Sequence, residues 1–237
     1  MAAKVVMNAT IPLHPYHPLD ASLPGYAENK LDALAICSAF AAGTITILAP
    51  TYKIIRRSNP SLPNGELATA LWFVLCGFIH FFFEGYFAYN QHRMPAMTDI
   101  FGELWKEYSK SDSRYLTQDS FLVPMETVTA VFWGPMSFMC AYCIVNNHPL
   151  RHPLQMIISL GQFYGDVLYF GTCTFQEIVN KLVYCRPESF YFYGYYVFMN
   201  AIWIVIPFFL LVRSVLAVKR AFAKVAELER VPSKKNI

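Results

Sequence analysis

Long apolar segments alternate with short polar ones along most of this chain of 237 residues. Five of the apolar segments are long enough to cross, as helices, the roughly 30 Å hydrocarbon core of a bilayer. They cover residues 33–52, 67–91, 120–147, 153–175 and 189–212. The pattern therefore predicts an all-α, polytopic membrane protein with five transmembrane helices.

The polar segments divide the chain into three parts. Residues 1–32 are rich in proline, and we expect them to form an irregular arm over the membrane surface. Residues 33–212 form the five-helix transmembrane domain, and residues 213–237 form a basic tail. The N-terminal stretch has no apolar core of signal-peptide length, so we expect the first span to insert without cleavage.

The composition agrees with a membrane protein, since 55% of the residues are hydrophobic and only 15% are charged. The sequence contains no nucleotide fingerprint, glycine-rich phosphate loop or Ser-His-Asp arrangement, so we expect neither a nucleotide cofactor nor a nucleic-acid partner. The six cysteines show no metal-ligand spacing, which predicts no metal site. Cys173 and Cys185 flank one loop, and a disulfide between them is left open.

Lysine and arginine are distributed unequally between the two sides that five helices would define. The side with the tail carries eleven basic and three acidic residues, a net charge of +8, and the other carries eight basic and ten acidic residues, a net charge of −2. The positive-inside rule therefore predicts a cytosolic tail. Lys234-Lys235-Asn236-Ile237 matches the dilysine signal of endoplasmic reticulum membrane proteins, and a solvated basic tail explains these residues as well.

Two ionisable side chains interrupt the second apolar segment. His80 and Glu84 are four residues apart, so a helix places them on one face, where the imidazole and the carboxylate can share a proton. Ionisable groups are costly at membrane depth, which indicates a polar cavity with a function. The alternative is a buried polar pair that only holds helices together.

Polar residues recur on one face of the third and fifth segments as well. Glu126, Thr129 and Trp133 lie on one stripe of a helix, and Asn200 and Trp203 lie three residues apart. A buried amide requires hydrogen-bond partners, so we expect Asn200 to face the same cavity.

The fourth segment carries one carboxylate. We interpret Asp166 mainly as structural, hydrogen-bonded to a tyrosine or to Gln162, with a role in the site left open. Gly161 and Gly165 are four residues apart and would permit close helix packing.

The longest loop, residues 93–119, has a pattern typical of a short amphipathic helix on the bilayer surface. Ile100, Leu104 and Tyr108 recur at every fourth residue of this loop. The tyrosine of Asp112-Ser113-Arg114-Tyr115 could cap the mouth of an intramembrane cavity. A turn with an Asp112–Arg114 ion pair explains this stretch equally well.

These segments together resemble the emopamil-binding protein family, the sterol delta8-delta7 isomerases of the endoplasmic reticulum, which are EXPERA-type membrane proteins. The resemblance is carried by LHPYHPLDASLPGY (13–26), CGFIHFFFEGYF (76–87), LWKEYSKSDSRY (104–115), METVTAVFWGP (125–135), GQFYGDVLYF (161–170) and YYVFMNAIW (195–203). The chain departs from the family pattern at Ser111, where glycine is frequent, and at Phe81–Phe83, which are bulkier than the usual aliphatic residues. The second departure bears on the choice of substrate.

The resemblance implies five helices around a sterol-sized intramembrane cavity, and it implies roles for residues on its wall. The catalytic residues would be His80, Glu84, Glu126 and Asn200, and the substrate-binding residues would be Trp203, Thr129, Tyr108, Tyr115, Met125 and Trp133. It also implies a sterol substrate, a location in the endoplasmic reticulum membrane in contact with membrane lipid, and binding of lipophilic amines. A homodimer is left open.

The implied reaction moves a double bond from C8=C9 to C7=C8 through protonation, a carbocation and deprotonation, without a cofactor. Protonating an unactivated alkene requires a carboxylic acid that stays protonated, and burial in an apolar pocket favours that neutral form. The Trp203 indole could stabilise the cation. Two alternatives stay open: a related membrane isomerase or cyclase acting on a prenyl or terpenoid substrate, and a non-catalytic protein that binds sterols or cationic amphiphiles.

Overall fold

Every regular element is helical in the part of the chain that this computed structural model describes, residues 14–230. Two short 3₁₀ turns, Met94–Ala96 and Ser113–Leu116, lie between longer helices, and a π-helical turn covers Gln176–Asn180. The longer helices are α1 (Ala33–Ser58), α2 (Asn64–Asn90), α3 (Ile100–Tyr108), α4 (Leu122–Val145), α5 (Arg151–Phe175) and α6 (Phe190–Arg230). The predicted all-α class is confirmed.

Among the described helices, α1, α2, α4 and α6 are long and apolar enough to cross a membrane. They coincide with the first, second, third and fifth predicted spans, and the protein is a membrane protein. Helix α5 coincides with the fourth predicted span and has 25 residues, but buried polar residues such as Gln155, Ser159 and Gln162 lower its hydropathy. A total of five spans remains a prediction.

Two helices extend beyond the spans that the apolar pattern predicts. Helix α1 continues past residue 52 to Ser58, and α6 continues past residue 212 to Arg230. A prediction from hydropathy ends a span at the first charged residues. The helix itself continues, because lysine, arginine, alanine and glutamate have high helix propensity. Most of the predicted tail is therefore helical, and the lysines at 234 and 235 lie outside the described residues.

Two π-helical turns contact each other at the centre of the fold. They are Ile79–Glu84 in α2 and Thr129–Trp133 in α4. Gly134 permits this contact, because a Cβ atom there would lie 2.8 Å from Phe81 Cβ and 2.9 Å from its backbone nitrogen. The close approach places His80 and Glu84 next to the α4 residues predicted for the site.

The irregular segment 14–32 covers the polar face of α3. The backbone N–H groups of Lys30 and Leu31 donate to the Glu103 carboxylate at 3.2 and 3.0 Å, and the Lys106 ammonium donates to the Ala27 carbonyl at 2.5 Å. Burial lowers the pKa of Lys106 from its ordinary value. A helix lying freely on a bilayer would expose these charged groups to water, so the arm fixes α3 in place, and its opposite face is available to line a cavity.

A buried ion pair stabilises the loop between α3 and α4. Arg114 Nη2 donates to Asp112 Oδ2 at 2.6 Å, and the two side chains are 1% and 0% exposed. Arg114 Nη1 also donates to Thr172 Oγ1 at 2.9 Å, which ties the loop to α5. The ion-pair interpretation of this stretch is therefore confirmed. Near the same end of the fold, Cys173 and Cys185 are free thiols and do not form a disulfide.

Candidate active site

A cavity of about 800 Å³ lies among the helices, a volume in the range of small-molecule sites. All ten residues predicted for the site line it: His80, Glu84, Tyr108, Tyr115, Met125, Glu126, Thr129, Trp133, Asn200 and Trp203. They come from α2, α3, α4, α6 and the loop before α4. The fold thus brings the predicted residues together, and their chemical roles remain proposals.

A directed chain of hydrogen bonds crosses the cavity wall through His80. Gln162 Nε2 on α5 donates to His80 Nε2 at 2.9 Å, and His80 Nδ1 lies 2.8 Å from Glu84 Oε2. With the Gln162 amide nitrogen facing the ring, His80 Nε2 is the acceptor, and a neutral imidazole would then carry its proton on Nδ1 and donate it to Glu84. The predicted His80–Glu84 contact is present, and Gln162 orients the ring.

The second carboxyl of the cavity has a separate support. Tyr115 OH donates to Glu126 Oε1 at 3.1 Å, and Glu126 is 5% exposed. The carboxyl groups of Glu84 and Glu126 lie close enough to interact with each other. Two carboxyl groups that share a site disfavour double ionisation, so the pair can hold one proton at the cavity wall.

The amide of Asn200 is satisfied at both ends. Tyr108 OH donates to Asn200 Oδ1 at 3.2 Å, and Asn200 Nδ2 donates to the Tyr196 carbonyl at 2.7 Å. One turn further along α6, the ring of Trp203 lies 5.0 Å from the ring of His80, with the two planes tilted by 40°. These contacts place an amide and an indole at the same cavity as the carboxyls.

The remaining predicted residues form the α4 wall. Thr129 Oγ1 donates to the Met125 carbonyl at 2.8 Å, a bond within the helix that occupies its only hydroxyl proton. Trp133 packs against α5 at Gly161, where a Cβ atom would lie 2.5 Å from Trp133 Cζ2. Gly161 thus permits close packing as predicted. Gly165 does not, because a Cβ atom there would meet no atom within 4 Å and the residue borders the cavity.

The hydrogen bond predicted for Asp166 is wrong. The Gln162 amide points to His80, and Asp166 Oδ2 has no partner within residues 14–230. Asp166 is nevertheless 8% exposed and lines the cavity. The reason for the difference is that the Gln162 amide nitrogen is directed towards the imidazole of His80 on α2 and not towards Asp166 on its own helix.

Sequence reasoning missed two polar residues of the cavity wall. The sequence pattern places Gln162 beside Asp166, whereas the Gln162 amide contacts an imidazole 82 positions earlier in the chain. Glu107 lines the cavity from α3, is 2% exposed and accepts from Lys110 Nζ at 2.6 Å. Gln162 could have been predicted from its spacing with Asp166, which places both on one face of α5. No comparable pattern in the sequence indicates Glu107.

Comparison with known proteins identifies relatives of this chain. The family model EXPERA (EXPanded EBP superfamily) matches residues 100–214. The 3-beta-hydroxysteroid-Delta(8),Delta(7)-isomerase of Mus musculus is 37% identical over 207 residues, which cover 87% of this chain and 89% of that protein. The protein of the same name from Rattus norvegicus is 38% identical over 199 residues, covering 83% and 85%. Protoglabretal synthase of Ailanthus altissima is 29% identical over 201 residues, covering 84% and 90%.

The predicted family is therefore confirmed by similarity that extends over most of both chains. The matched range runs from the start of α3 to α6 and includes the α4, α5 and α6 walls of the cavity. From the similarity to the two rodent isomerases and the EXPERA match together, this chain belongs to the EBP family.

Proposed function

We propose that the protein is a sterol delta8-delta7 isomerase, the activity that the names of its mammalian relatives give. The observation that carries the proposal is the hydrogen-bonded His80–Glu84 pair beside Glu126 on the wall of one cavity. Proton donors and acceptors in an otherwise apolar cavity are what a double-bond shift requires.

The reaction needs two proton transfers and no change of oxidation state. A carboxyl O–H gives its proton to C9, the electrons of C8=C9 form the new C9–H bond, and positive charge develops at C8. A base then takes a proton from C7, and the electrons of that C–H bond form C7=C8. The acid is regenerated when the two protein groups re-equilibrate their proton with solvent or with each other.

We assign one transfer to the His80–Glu84 pair and the other to Glu126 with Asn200. Each group has a fixed partner at the cavity wall: Glu84 has His80 on the same helix, Glu126 has Tyr115, and Asn200 has Tyr108. The Trp203 indole, adjacent to His80, would stabilise the cation by about 2 kcal/mol or more in a desolvated site. Tyr108, Tyr115, Met125, Thr129 and Trp133 would shape the cavity around the sterol.

Expression in a strain that lacks sterol isomerase tests the function directly. Lipid extracts should contain delta7 sterols at the expense of accumulated delta8 sterols, and an empty vector and the Glu84→Gln variant should leave the delta8 sterols in place. Accumulated delta8 sterols that stay unchanged in the presence of the wild-type protein would contradict the proposal.

A second candidate function keeps the cation chemistry and changes the substrate. The relative named protoglabretal synthase covers most of this chain, which supports the alternative of a cyclase or isomerase for terpenoids. Feeding the same membranes a delta8 sterol and a terpenoid epoxide in parallel separates the two. Tight binding of the sterol without turnover of either compound would favour the non-catalytic, sterol-binding alternative.

We also propose that lipophilic amines bind this cavity, because an ammonium group resembles the cation at C8. Their affinity should fall when Glu84 becomes Gln or Trp203 becomes Ala, since each change removes part of the field that stabilises a cation. Competition with a labelled amine in membranes measures the effect, and unchanged affinity in both variants would place the amine site elsewhere.

We propose further that the protein lies in the endoplasmic reticulum membrane as a multi-pass protein with a cytosolic tail. The charge difference between its two sides and the terminal Lys234-Lys235 support this location. Exposed apolar side chains, such as Phe132 on α4 and Phe209 on α6, would contact membrane lipid.

A further inference from the structure

Two residues that line the cavity from α5 carry a buried polar atom without a protein partner. Asp166 Oδ2 and the Tyr169 hydroxyl make no hydrogen bond to any residue in the range 14–230. The two residues line the cavity and are 8% and 2% exposed. They are three residues apart on a continuous helix and therefore lie on one face. Buried polar groups are nearly always paired, so two such exceptions in one turn indicate a missing partner.

The chemistry of the two groups is complementary. A carboxylate accepts hydrogen bonds, and a phenol donates one, so together they fit a group that both donates and accepts, such as an alcohol. Gly165, which directly precedes Asp166 on the helix, leaves the space beside α5 open. Trp72 Nε1 and Gln162 Oε1 are also unpaired at the cavity within the described residues, but an indole only donates and the Gln162 amide already holds His80.

The position of the pair agrees with a substrate that spans the site. Gln162, the partner of His80, lies one turn before Asp166 on α5. At a rise of 1.5 Å per residue, Asp166 and Tyr169 lie about 6 and about 10 Å further along the helix axis. In a 3-hydroxysteroid, the hydroxyl on ring A is separated from C8 and C9 by the two fused rings A and B. A hydroxyl held at Asp166 and Tyr169 would therefore leave the reacting double bond near His80 and Glu84.

We propose that Asp166 and Tyr169 bind the 3-hydroxyl group of the substrate, which donates to the Asp166 carboxylate and accepts from the Tyr169 hydroxyl. The identity of the substrate rests on the proposed function. In this arrangement the ring A end of the sterol lies against the later half of α5. Asp166 and Tyr169 then position the substrate and take no part in proton transfer.

The test compares a delta8 sterol with its 3-deoxy analogue in the wild-type protein and in the variants Asp166→Leu, Tyr169→Phe and Trp72→Phe. The wild type should prefer the hydroxylated substrate by about ten- to hundredfold in kcat/KM, as expected for two hydrogen bonds in a buried site. Asp166→Leu and Tyr169→Phe should each reduce this preference strongly, mainly through KM. Trp72→Phe, which removes another unpaired donor from the same cavity, should retain the preference.

The deoxy analogue is the control for a structural effect. Its turnover should change little in Tyr169→Phe, because it has no hydroxyl for the missing phenol to contact, whereas damage to the fold would lower the turnover of both substrates. If Asp166→Leu does not accumulate as a folded protein, Tyr169→Phe decides alone, since it removes one oxygen and keeps the ring.

A binding measurement separates this inference from the proposed function. Saturated 3-hydroxy and 3-deoxy steroids cannot react, and their affinities can be compared by quenching of tryptophan fluorescence. A preference for the hydroxysteroid that Tyr169→Phe removes would support the subsite even if the wild type turned over no sterol. An equal preference in the wild type and in both α5 variants, or none in the wild type, would overturn the inference whatever the turnover.

Discussion

At the scale of single residues, Glu84 and Glu126 each have a hydrogen-bonded side chain that holds the carboxyl group in place. Glu84 is held by His80, which is held in turn by Gln162 on α5, and Glu126 is held by Tyr115. Support of this kind restricts the orientation of each carboxyl without covering it from the cavity. The two carboxyl groups can therefore lie close to each other while each remains accessible from the cavity.

Replacing either acid should remove most of the activity. Glu84→Gln and Glu126→Gln each keep the shape of the side chain but can no longer transfer a proton, so we expect losses of about 100-fold or more in kcat. His80→Ala should behave similarly because the imidazole is bonded to Glu84. Conversion of a delta8 sterol in membranes with matched protein levels measures these effects. Full activity in both glutamine variants would exclude the carboxyls from the mechanism.

The source of the new hydrogen provides a second readout of the same step. Turnover in deuterium oxide should place one deuterium at C9 of the product, because the acid exchanges with solvent. Product without deuterium would indicate internal transfer of a substrate hydrogen.

The predictability of these contacts follows from their separation along the chain. The His80–Glu84 pair joins residues four apart, so the helical repeat alone placed it correctly. The Gln162–His80 bond joins residues 82 apart and depends on how α2 and α5 pack, which no local pattern contains. The wrong hydrogen bond for Asp166 has the same origin, because a neighbour on the same helix was preferred over a distant one.

At the scale of elements, the existence of the helices was predictable, and their internal geometry was not. Hydropathy located α1, α2, α4, α5 and α6 because a membrane-spanning segment must satisfy its own backbone hydrogen bonds. The π-helical turns Ile79–Glu84 and Thr129–Trp133 lie inside apolar runs that look the same in an α or a π conformation. The contact at Gly134 likewise depends on the crossing of two distant segments.

Gly134→Ala should disturb the fold and the site together. The added methyl would lie 2.9 Å from the Phe81 backbone nitrogen, so the two helices must separate, and we expect a loss of about 1–3 kcal/mol in stability. Because Phe81 adjoins His80, activity should fall as well. Thermal unfolding in detergent and sterol turnover measure the two effects.

Gly171→Ala is the matched control for this substitution. Gly171 lies within α5, and a Cβ atom there meets no atom within 4 Å, so the higher helix propensity of alanine should leave stability unchanged or slightly increased. A Gly134→Ala variant as stable and as active as Gly171→Ala would show that the close helix contact is not required.

At the scale of the whole molecule, the proposed orientation in the membrane rests on charge. With five spans, the positive-inside rule would place the arm and α3 on the luminal side. Composition alone was sufficient to predict the membrane class, but the cover that segment 14–32 forms over α3 was not predictable. It depends on backbone carbonyl and N–H groups of the arm, which every sequence possesses.

The orientation can be tested with a glycosylation site that the chain already contains. Asn8-Ala9-Thr10 is an acceptor sequence, and it would be luminal if the tail is cytosolic. We expect a mass shift that endoglycosidase H removes and that Asn8→Gln abolishes. An acceptor placed after Val231 should stay unmodified. Modification of the tail acceptor alone would reverse the predicted orientation.

The paired π-helical turns have a consequence for how this cavity could change during evolution. A π turn closes its hydrogen bonds at i→i+5 and so holds one residue more than the α turn that could replace it. Deleting that residue would rotate the rest of the helix by about 100°. The length and the hydropathy of the helix would hardly change, and all of its acidic residues would be retained. Glu84 and Glu126 could then point apart in a chain that still inserts and folds. A relative that only holds its ligand could therefore arise by a change in length at residues 79–84 or 129–133, with its acids intact.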